Sequence, residues 1–155
     1  MNIEIRKGTQ AEIPSALTLV KELATYEKAP NEVEVTIAEM TEWGFGNDKQ
    51  FDFYVALVDG VIVGIALYYF KYSTWKGKCL FLEDIIVTES QRGKGLGKLL
   101  FDKVVQVSKE MKVRRMEWQV LDWNTPAIEF YKKFDATLDG EWVNCKLNNH
   151  QLEKI

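Results

Sequence analysis

The part of the sequence best suited to hold a ligand contains three glycines within five residues, Gly93, Gly95 and Gly97. An apolar segment precedes them, and an amphipathic segment begins near Gly95. Glycine has no Cβ atom, so the backbone N–H groups of such a loop can approach an anion closely. The unpaired N–H groups and the positive dipole end of the following helix add to this attraction. The pattern predicts a phosphate-binding loop, whose additional positive charge comes from Arg92, Lys94 and Lys98.

The spacing of the loop excludes two common nucleotide-binding motifs. A Walker loop requires Ser or Thr after its Gly-Lys pair, but Leu99 follows Gly97 and Lys98, and Arg92 stands where the first glycine belongs. The dinucleotide motif G-x-G-x-x-G fails as well, because these glycines read G-x-G-x-G. The remaining pattern, R-x-x-G-x-G, resembles the pyrophosphate-binding loop of the GNAT superfamily of acetyl-CoA-dependent N-acetyltransferases. Taken alone, such a loop could also be an ordinary strand-to-helix connection.

Length and composition indicate one soluble domain. The chain has 155 residues, of which 46% are hydrophobic and 28% charged, and these values fit a single α/β domain over residues 1–155. The net charge of −3 argues against a nucleic-acid partner and suits a cationic substrate. No export signal precedes the first predicted strand, and no apolar run reaches the ~20 residues that span a membrane. We therefore expect no membrane partner.

The cysteine and histidine content predicts no metal and no disulfide framework. Cys79 and Cys145 are too few for such a framework, and each lies in an apolar stretch that predicts a buried thiol. This usage predicts a reducing cytoplasm. His150 is the single histidine and lies in a polar tail, so neither a metal-ligand spacing nor a histidine-activated nucleophile is present.

Local signals predict the elements that position the loop. Capping boxes at residues 9–12 and 36–39 start two helices, the second closed by Gly44 and Gly46, and the Asp59-Gly60 pair predicts a type I′ hairpin. Strands are expected at residues 3–7, 53–58, 61–72, 79–88, 114–121 and 142–147, and two further helices at residues 95–111 and 124–134. This order matches the GNAT fold. It predicts an α/β protein with a mixed, mostly antiparallel sheet and helices on both faces.

Further strings narrow the resemblance. Residues 23–28 (LATYEK), 69–77 (YFKYSTWKG), 82–84 (LED), 121–124 (LDWN) and 130–133 (FYKK) each resemble segments of the diamine (polyamine) N-acetyltransferases. The strings YSTWKG and LDWN are most similar to the thialysine-acetylating branch. The resemblance implies transfer of acetyl from acetyl-CoA to a primary amine of a small cationic molecule. It also implies a homodimer, which the five tryptophans favour.

Two acids could perform the proton transfer that this chemistry needs. An alkylammonium with a pKa of ~10.4 is protonated at neutral pH, so the enzyme must bind a cation and then remove a proton. Glu83 and Asp84 are adjacent in an apolar segment, and strand alternation predicts that they point to opposite faces. Each could also be a salt-bridged or exposed acid. The family resemblance implies that Glu83 is the general base, acting directly or through water.

The remaining site residues follow from the chemistry and from the resemblance. A backbone N–H near Ile85 could stabilise the oxyanion if its strand splays. The resemblance implies that Tyr131 protonates the departing CoA thiolate and that Asn124 holds the pantetheine arm, although Tyr131 could also be a core tyrosine. The expected acetyl-CoA contacts are Ile85, Ile86, Val87, Arg92, Gly93, Lys94, Gly95, Leu96, Gly97, Lys98, Asn124 and Tyr131. Acids and aromatic rings can hold a cationic chain, which gives as substrate candidates Tyr26, Glu27, Trp75, Glu83 and Asp84.

Two positions depart from the family pattern. Asp135 occupies the place of a glycine in a left-handed cap, and Gly140 replaces an acid two residues before Trp142. The first predicts a small stability cost, and the second bears on amine selectivity. Alternative functions are a catalytically idle CoA-binding module and an N-acetyltransferase that acts on proteins or peptides.

Overall fold

The computed structural model describes every residue from Met1 to Ile155. The strands are β1 (Ile3–Lys7), β2 (Asp52–Val58), β3 (Val61–Ser73), β4 (Gly77–Val87) and β5 (Met116–Glu117). The helices are α1 (Ile13–Tyr26), α2 (Ile37–Phe45), α3 (Leu96–Glu110), α4 (Thr125–Lys132) and α5 (Asn149–Leu152). The chain forms two compact units, Met1–Gln119 and Val120–Ile155. The single-domain organisation expected from the sequence stays a prediction.

The first unit contains one five-stranded sheet in the order β1-β2-β3-β4-β5. The first four strands are antiparallel neighbours, and β5 is parallel to β4, to which α3 connects it. Asp59 and Gly60 have φ values of 50° and 80°, the left-handed pair that a type I′ turn requires, and they join β2 to β3. The mixed, mostly antiparallel sheet is confirmed.

Helices cover both faces of this sheet, as predicted. On one face, the alternate β2 residues Phe53, Val55 and Leu57 join a buried cluster with Ile13 and Leu17 of α1. Burying a side chain of this size stabilises the fold by about 1.5–3 kcal/mol. On the other face α3 lies close against β3, since a Cβ atom at Gly64 would come within 3.2 Å of the Leu100 side chain. The absence of a side chain at Gly64 therefore permits this approach.

The predicted capping boxes lie where helices begin. The Thr9 N–H donates to Glu12 Oε2 at 3.0 Å, and a 3-10 turn at residues 10–12 leads into α1. At α2, Glu39 N–H donates to Thr36 Oγ1, and Thr36 N–H donates to Glu39 Oε1. Gly46 ends this helix, but Gly44 is a buried residue within it, so the prediction that Gly44 closes the helix is wrong.

A bulge interrupts β4 at Glu83. Leu67 of β3 pairs with Asp84, whereas the next residue, Tyr68, pairs with Leu82, so Glu83 is one residue too many in the ladder. Directly opposed residues share a face. Asp84 therefore lies on the α1 face with Leu67, and Leu82 lies on the α3 face with Tyr68. Strict alternation, on which the prediction of opposite faces for the two acids rested, does not hold here.

Other sequence predictions fail at the end of the chain. Residues 142–147 form no strand, and the predicted strand over residues 114–121 is reduced to Met116 and Glu117, because a strand needs a hydrogen-bonded neighbour as well as an alternating pattern. The Asn148 side chain caps the short helix α5, which was not predicted. Cys79 is buried as expected, but Cys145 is exposed. No helix has both the length and the apolar content that crossing a membrane requires.

Candidate active site

The glycine loop follows β4 and leads directly into α3. Gly93 and Gly95 have φ values of 77° and 80°, which side-chain-bearing residues rarely adopt, and Gly95 is the N-cap of α3. Cβ atoms built at Gly93, Gly95 or Gly97 would meet no heavy atom within 4 Å. The backbone of the loop is therefore open on the side where side chains would stand, and the first N–H groups of α3 have no partner within the helix.

The three cations of the loop each have a partner. Arg92 Nε donates to the Val87 carbonyl at 2.8 Å, and the Arg92 guanidinium lies over the Tyr26 ring, 5.2 Å from its centroid. Lys94 Nζ donates to Gln91 Oε1 at 2.7 Å, and Lys98 pairs with Asp102 one helical turn later. Positive charge is thus concentrated around an open backbone at a helix N-terminus, which suits a diphosphate. These residues fit the diphosphate of a coenzyme A thioester.

A group of three carboxylates lies on the α1 side of the bulge. Burial, together with the neighbouring charges of Glu83 and Glu27, raises the pKa of Asp84 to about 7. Burial also raises the pKa of Glu27, and Glu83 adds to that effect. Burial raises the pKa of Glu83. Mutual repulsion of this kind requires proximity, so the structure brings Glu27 at the end of α1 together with both acids of β4.

Tyr69 belongs to the same surroundings, although the sequence analysis did not single it out as a site residue. Burial raises its pKa, and the charges of Glu83 and Glu117 contribute. Tyr69 shares the α1 face with Leu67 by alternation along β3, so its interaction with Glu83 places that carboxylate on the same face as Asp84. The shared face of Glu83 and Asp84 follows only from the pairing of β3 with β4, because no residue pattern in the local sequence predicts the bulge.

Acetyl transfer also requires backbone N–H donors that stabilise the oxyanion. The ladder between β4 and β5 ends at Phe81, which pairs with Glu117, whereas on its other edge β4 stays paired with β3 through Ile85, Ile86 and Val87. The backbone of these last residues of β4 lies outside the β4–β5 ladder. The N–H donor expected near Ile85 stays a prediction.

Asn124 and Tyr131 lie in the second compact unit. Asn124 is the N-cap of α4, where its Oδ1 accepts from Ala127 N–H at 3.4 Å, and Pro126 occupies the first turn, as predicted. Tyr131 is a buried residue of α4, and its ring contacts Phe130 edge to face at 5.4 Å. The roles expected for these two side chains stay predictions.

Among the substrate candidates, Trp75 lies farthest from the carboxylates of Glu83 and Asp84 in the same chain. It lies in the turn between β3 and β4, with 78% of its surface exposed. From Gly77, where β4 begins, to Glu83 the strand extends roughly 20 Å. Tyr26, in contrast, lies against the Arg92 guanidinium of the loop, and the next residue, Glu27, lies near Glu83 and Asp84.

Comparison with known proteins agrees with this geometry. The model of the acetyltransferase (GNAT) family matches residues 17–136. The chain belongs to this family. Acetyl-CoA is the co-substrate of the family, and the protein is accordingly an acetyl-CoA-dependent N-acetyltransferase, as the sequence resemblance predicted.

Individual relatives extend over most of the chain. It is 35% identical over 142 residues to a thialysine N-epsilon-acetyltransferase of Bos taurus, covering 86% of this chain and 84% of that protein. It is 31% identical to spermidine/spermine N(1)-acetyltransferase-like protein 1 of Homo sapiens, covering 96% of this chain but 23% of the human one. Among solved structures, an integron cassette protein of V. cholerae superposes with a TM-score of 0.81 at 21% identity, covering 99% and 97% of the two chains. The last similarity supports the fold.

Proposed function

We propose that the protein acetylates a primary amine of a small cationic molecule, with thialysine-like and lysine-like amines preferred and polyamines second. The observation that carries this proposal is the group formed by Glu27, Glu83 and Asp84. Burial raises the pKa of all three acids, and neighbouring carboxylates add to the effect at Glu27 and Asp84, so a bound cation would lower these pKa values and be held in return. The names of the relatives favour the same class of substrate.

The proposed reaction assigns each proton to a group of this chain. Acetyl-CoA supplies an activated thioester, held through its diphosphate by the residues Arg92 to Lys98. Glu83 accepts a proton from the ammonium group, and its raised pKa brings it closer to neutrality, where a general base is most effective. Asp84 and Glu27 hold the cationic chain, with Tyr26 as an aromatic neighbour. Backbone N–H groups near Ile85 stabilise the oxyanion.

The last step is the departure of the CoA thiolate. A nitrogen–carbon bond forms, the carbon–sulfur bond breaks, the attacking nitrogen gives up its second proton to solvent, and the sulfur takes up a proton. We assign this proton to the Tyr131 hydroxyl, which delivers it as the carbon–sulfur bond breaks. Because the phenol pKa of ~10 lies above the ~8.5 of the thiol, the Tyr131 phenolate then regains a proton from solvent. We assign contact with the pantetheine arm to Asn124. The proton taken by Glu83 returns to solvent.

An amine panel tests the substrate class. Steady-state rates with thialysine, lysine, putrescine, spermidine and spermine should give thialysine the highest kcat/KM. Thialysine carries a less basic amine than lysine, so more of it is already deprotonated at neutral pH. A higher kcat/KM for spermine would refute the preference but not the chemistry. Acetyl-CoA binding without turnover of any amine would instead support the idle module, and turnover of peptides alone would support a protein acetyltransferase.

A charge-removing variant tests the carboxylate group itself. Glu27→Gln should raise the KM of the amine by about tenfold while the Kd of acetyl-CoA stays the same, because one charge-assisted contact of ~1.5 kcal/mol is lost at the amine side. Glu34→Gln is a matched control, because Glu34 is an exposed acid in the segment between α1 and α2. An equal KM for both variants would argue against amine binding at this group.

The expected homodimer and cytoplasmic location complete the proposal. Tyr72 and Trp75 expose 75% and 78% of their surfaces at the end of the β3–β4 hairpin, where a second copy would cover them. A monomeric mass by light scattering at tens of micromolar protein would reject the dimer. Free Cys79 and Cys145 favour a reducing compartment such as the cytoplasm.

A further inference from the structure

Glu22 of α1 joins that helix to the beginning of the glycine loop. Its two carboxylate oxygens accept from Thr88 Oγ1 at 2.9 and 3.1 Å, and Oε1 also accepts from the Glu89 N–H at 3.0 Å. The same oxygen lies 3.8 Å from the Arg92 guanidinium. One side chain therefore contacts three residues of a segment more than 60 positions away in the sequence.

The contacted segment determines how the chain enters the loop. Thr88 follows the last residue of β4 and is the N-cap of a 3-10 turn at Glu89–Gln91, after which Arg92 and the glycines begin. The first N–H groups of such a turn have no partner within it. Glu22 supplies the acceptor for one of them from outside the segment, so the direction of the chain at this point depends on α1.

Arg92 is held in the same arrangement. Its Nε donates to the Val87 carbonyl at 2.8 Å, its guanidinium lies over the Tyr26 ring, and Glu22 is the acid beside it. Tyr26 stands four residues after Glu22, on the same side of α1. The guanidinium is thus fixed between α1 and the end of β4, at the first position of the loop.

We propose that Glu22 is a positioning residue for acetyl-CoA: it fixes the segment from Thr88 to Arg92 and thereby sets the loop in the geometry that receives the diphosphate. This inference rests on the proposed binding of the diphosphate by that loop. It assigns no contact between Glu22 and either substrate. Its effect is transmitted through Thr88, Glu89 and Arg92.

Two thioesters separate positioning of the loop from general damage. S-acetylpantetheine carries the same reactive group as acetyl-CoA but lacks the diphosphate and adenosine. Glu22→Ala should lower kcat/KM for acetyl-CoA by about 10- to 100-fold, since a displacement of about 1 Å can cost a factor of this size. The kcat/KM for S-acetylpantetheine should remain within about twofold. Glu22→Gln keeps the shape and one acceptor oxygen, so it should recover part of the loss.

A second variant and a control keep the test decisive if Glu22→Ala folds poorly. Thr88→Val removes the hydroxyl donor at nearly constant shape, and it should show the same selective loss for acetyl-CoA. Lys21→Ala, at the neighbouring exposed position of α1, is the control and should change neither thioester.

The outcomes distinguish binding of the diphosphate by the loop from positioning of the loop by Glu22. If the wild-type enzyme uses S-acetylpantetheine as well as acetyl-CoA, binding of the diphosphate by the loop is refuted, and the role of Glu22 with it. If the wild type prefers acetyl-CoA but the Glu22 and Thr88 variants lose both thioesters equally, or lose neither, the loop assignment stands and the positioning role is overturned.

Discussion

Gly97→Ala offers a test in which stability and ligand affinity should change in opposite directions. Gly97 is the second residue of α3, its φ is not positive, and an added Cβ would meet no heavy atom within 4 Å. Alanine favours a helix over glycine by up to about 1 kcal/mol. The variant should therefore be as stable as the wild type or more stable, with a rise in Tm of up to about 4 °C.

The same methyl group should hinder acetyl-CoA. A helical Cβ tilts toward the helix N-terminus, which is the direction from which a diphosphate would approach the first N–H groups of α3. A charge-assisted hydrogen bond of this kind contributes about 1.5–3 kcal/mol, so the loss of one corresponds to about a 10- to 150-fold rise in Kd.

Calorimetric titration with CoA and thermal unfolding without ligand measure the two effects on the same preparation. Gly60→Ala is a useful comparison, because Gly60 also has open space around a built Cβ but a φ of 80°, and it belongs to the β2–β3 turn rather than to the glycine loop. It should lose stability and keep affinity. A Gly97→Ala protein of raised Tm and unchanged Kd would refute the assignment of the diphosphate to the N-terminus of α3.

The remaining predictions concern titration, catalysis and backbone strain. Asp84→Asn should remove a loss of stability that the wild type shows as the pH rises from about 4 to about 7. An acid whose pKa is raised in the folded state favours folding only while it is protonated. A rise in pKa from 3.8 to about 7 corresponds to a change of at most ~4 kcal/mol in the free energy of unfolding. Parallel urea-unfolding profiles against pH for the two proteins would contradict this. Glu83→Gln should lower kcat by ~10²–10⁴-fold and recover as the pH rises and more amine arrives deprotonated, whereas Tyr131→Phe should be slow at every pH; equal recovery in both would reverse the assigned roles. Asp135→Gly should stabilise the protein by up to about 1 kcal/mol in urea unfolding, since Asp135 has a φ of 57°, and an unchanged midpoint would show that aspartate bears this conformation without cost.

Local signals in the sequence predicted the elements whose cause is local. The Asp59-Gly60 turn, the Thr36–Glu39 capping box and the Asn124 cap of α4 each depend on residues within four positions of one another, and each is present. The same holds for Asp135, whose left-handed backbone was expected from its position after α4. Hydrophobic alternation likewise predicted β2 and β3 to within a residue.

Features that depend on distant partners could not be predicted in this way. The faces of Glu83 and Asp84 follow from a ladder shift against β3, and the importance of Glu22 follows from contacts with Thr88 and Glu89 across the fold. The apolar residues around Cys145 were compatible with a strand, yet none forms there. The acidic character of the site was therefore predicted, whereas its arrangement was not.

The bulge in β4 also limits how this enzyme could acquire a new amine preference. Because the strand changes phase at Glu83, an acid introduced at Leu82 would enter the α3 face, and one at Ile85 would stand on that same face, opposite Ala66. From Leu82 to Ile85, negative charge can be presented toward α1 at positions 83 and 84 alone. Single substitutions that retune selectivity should therefore accumulate at the C-terminal end of α1, around Tyr26 and Glu27, while the strand retains its two acids.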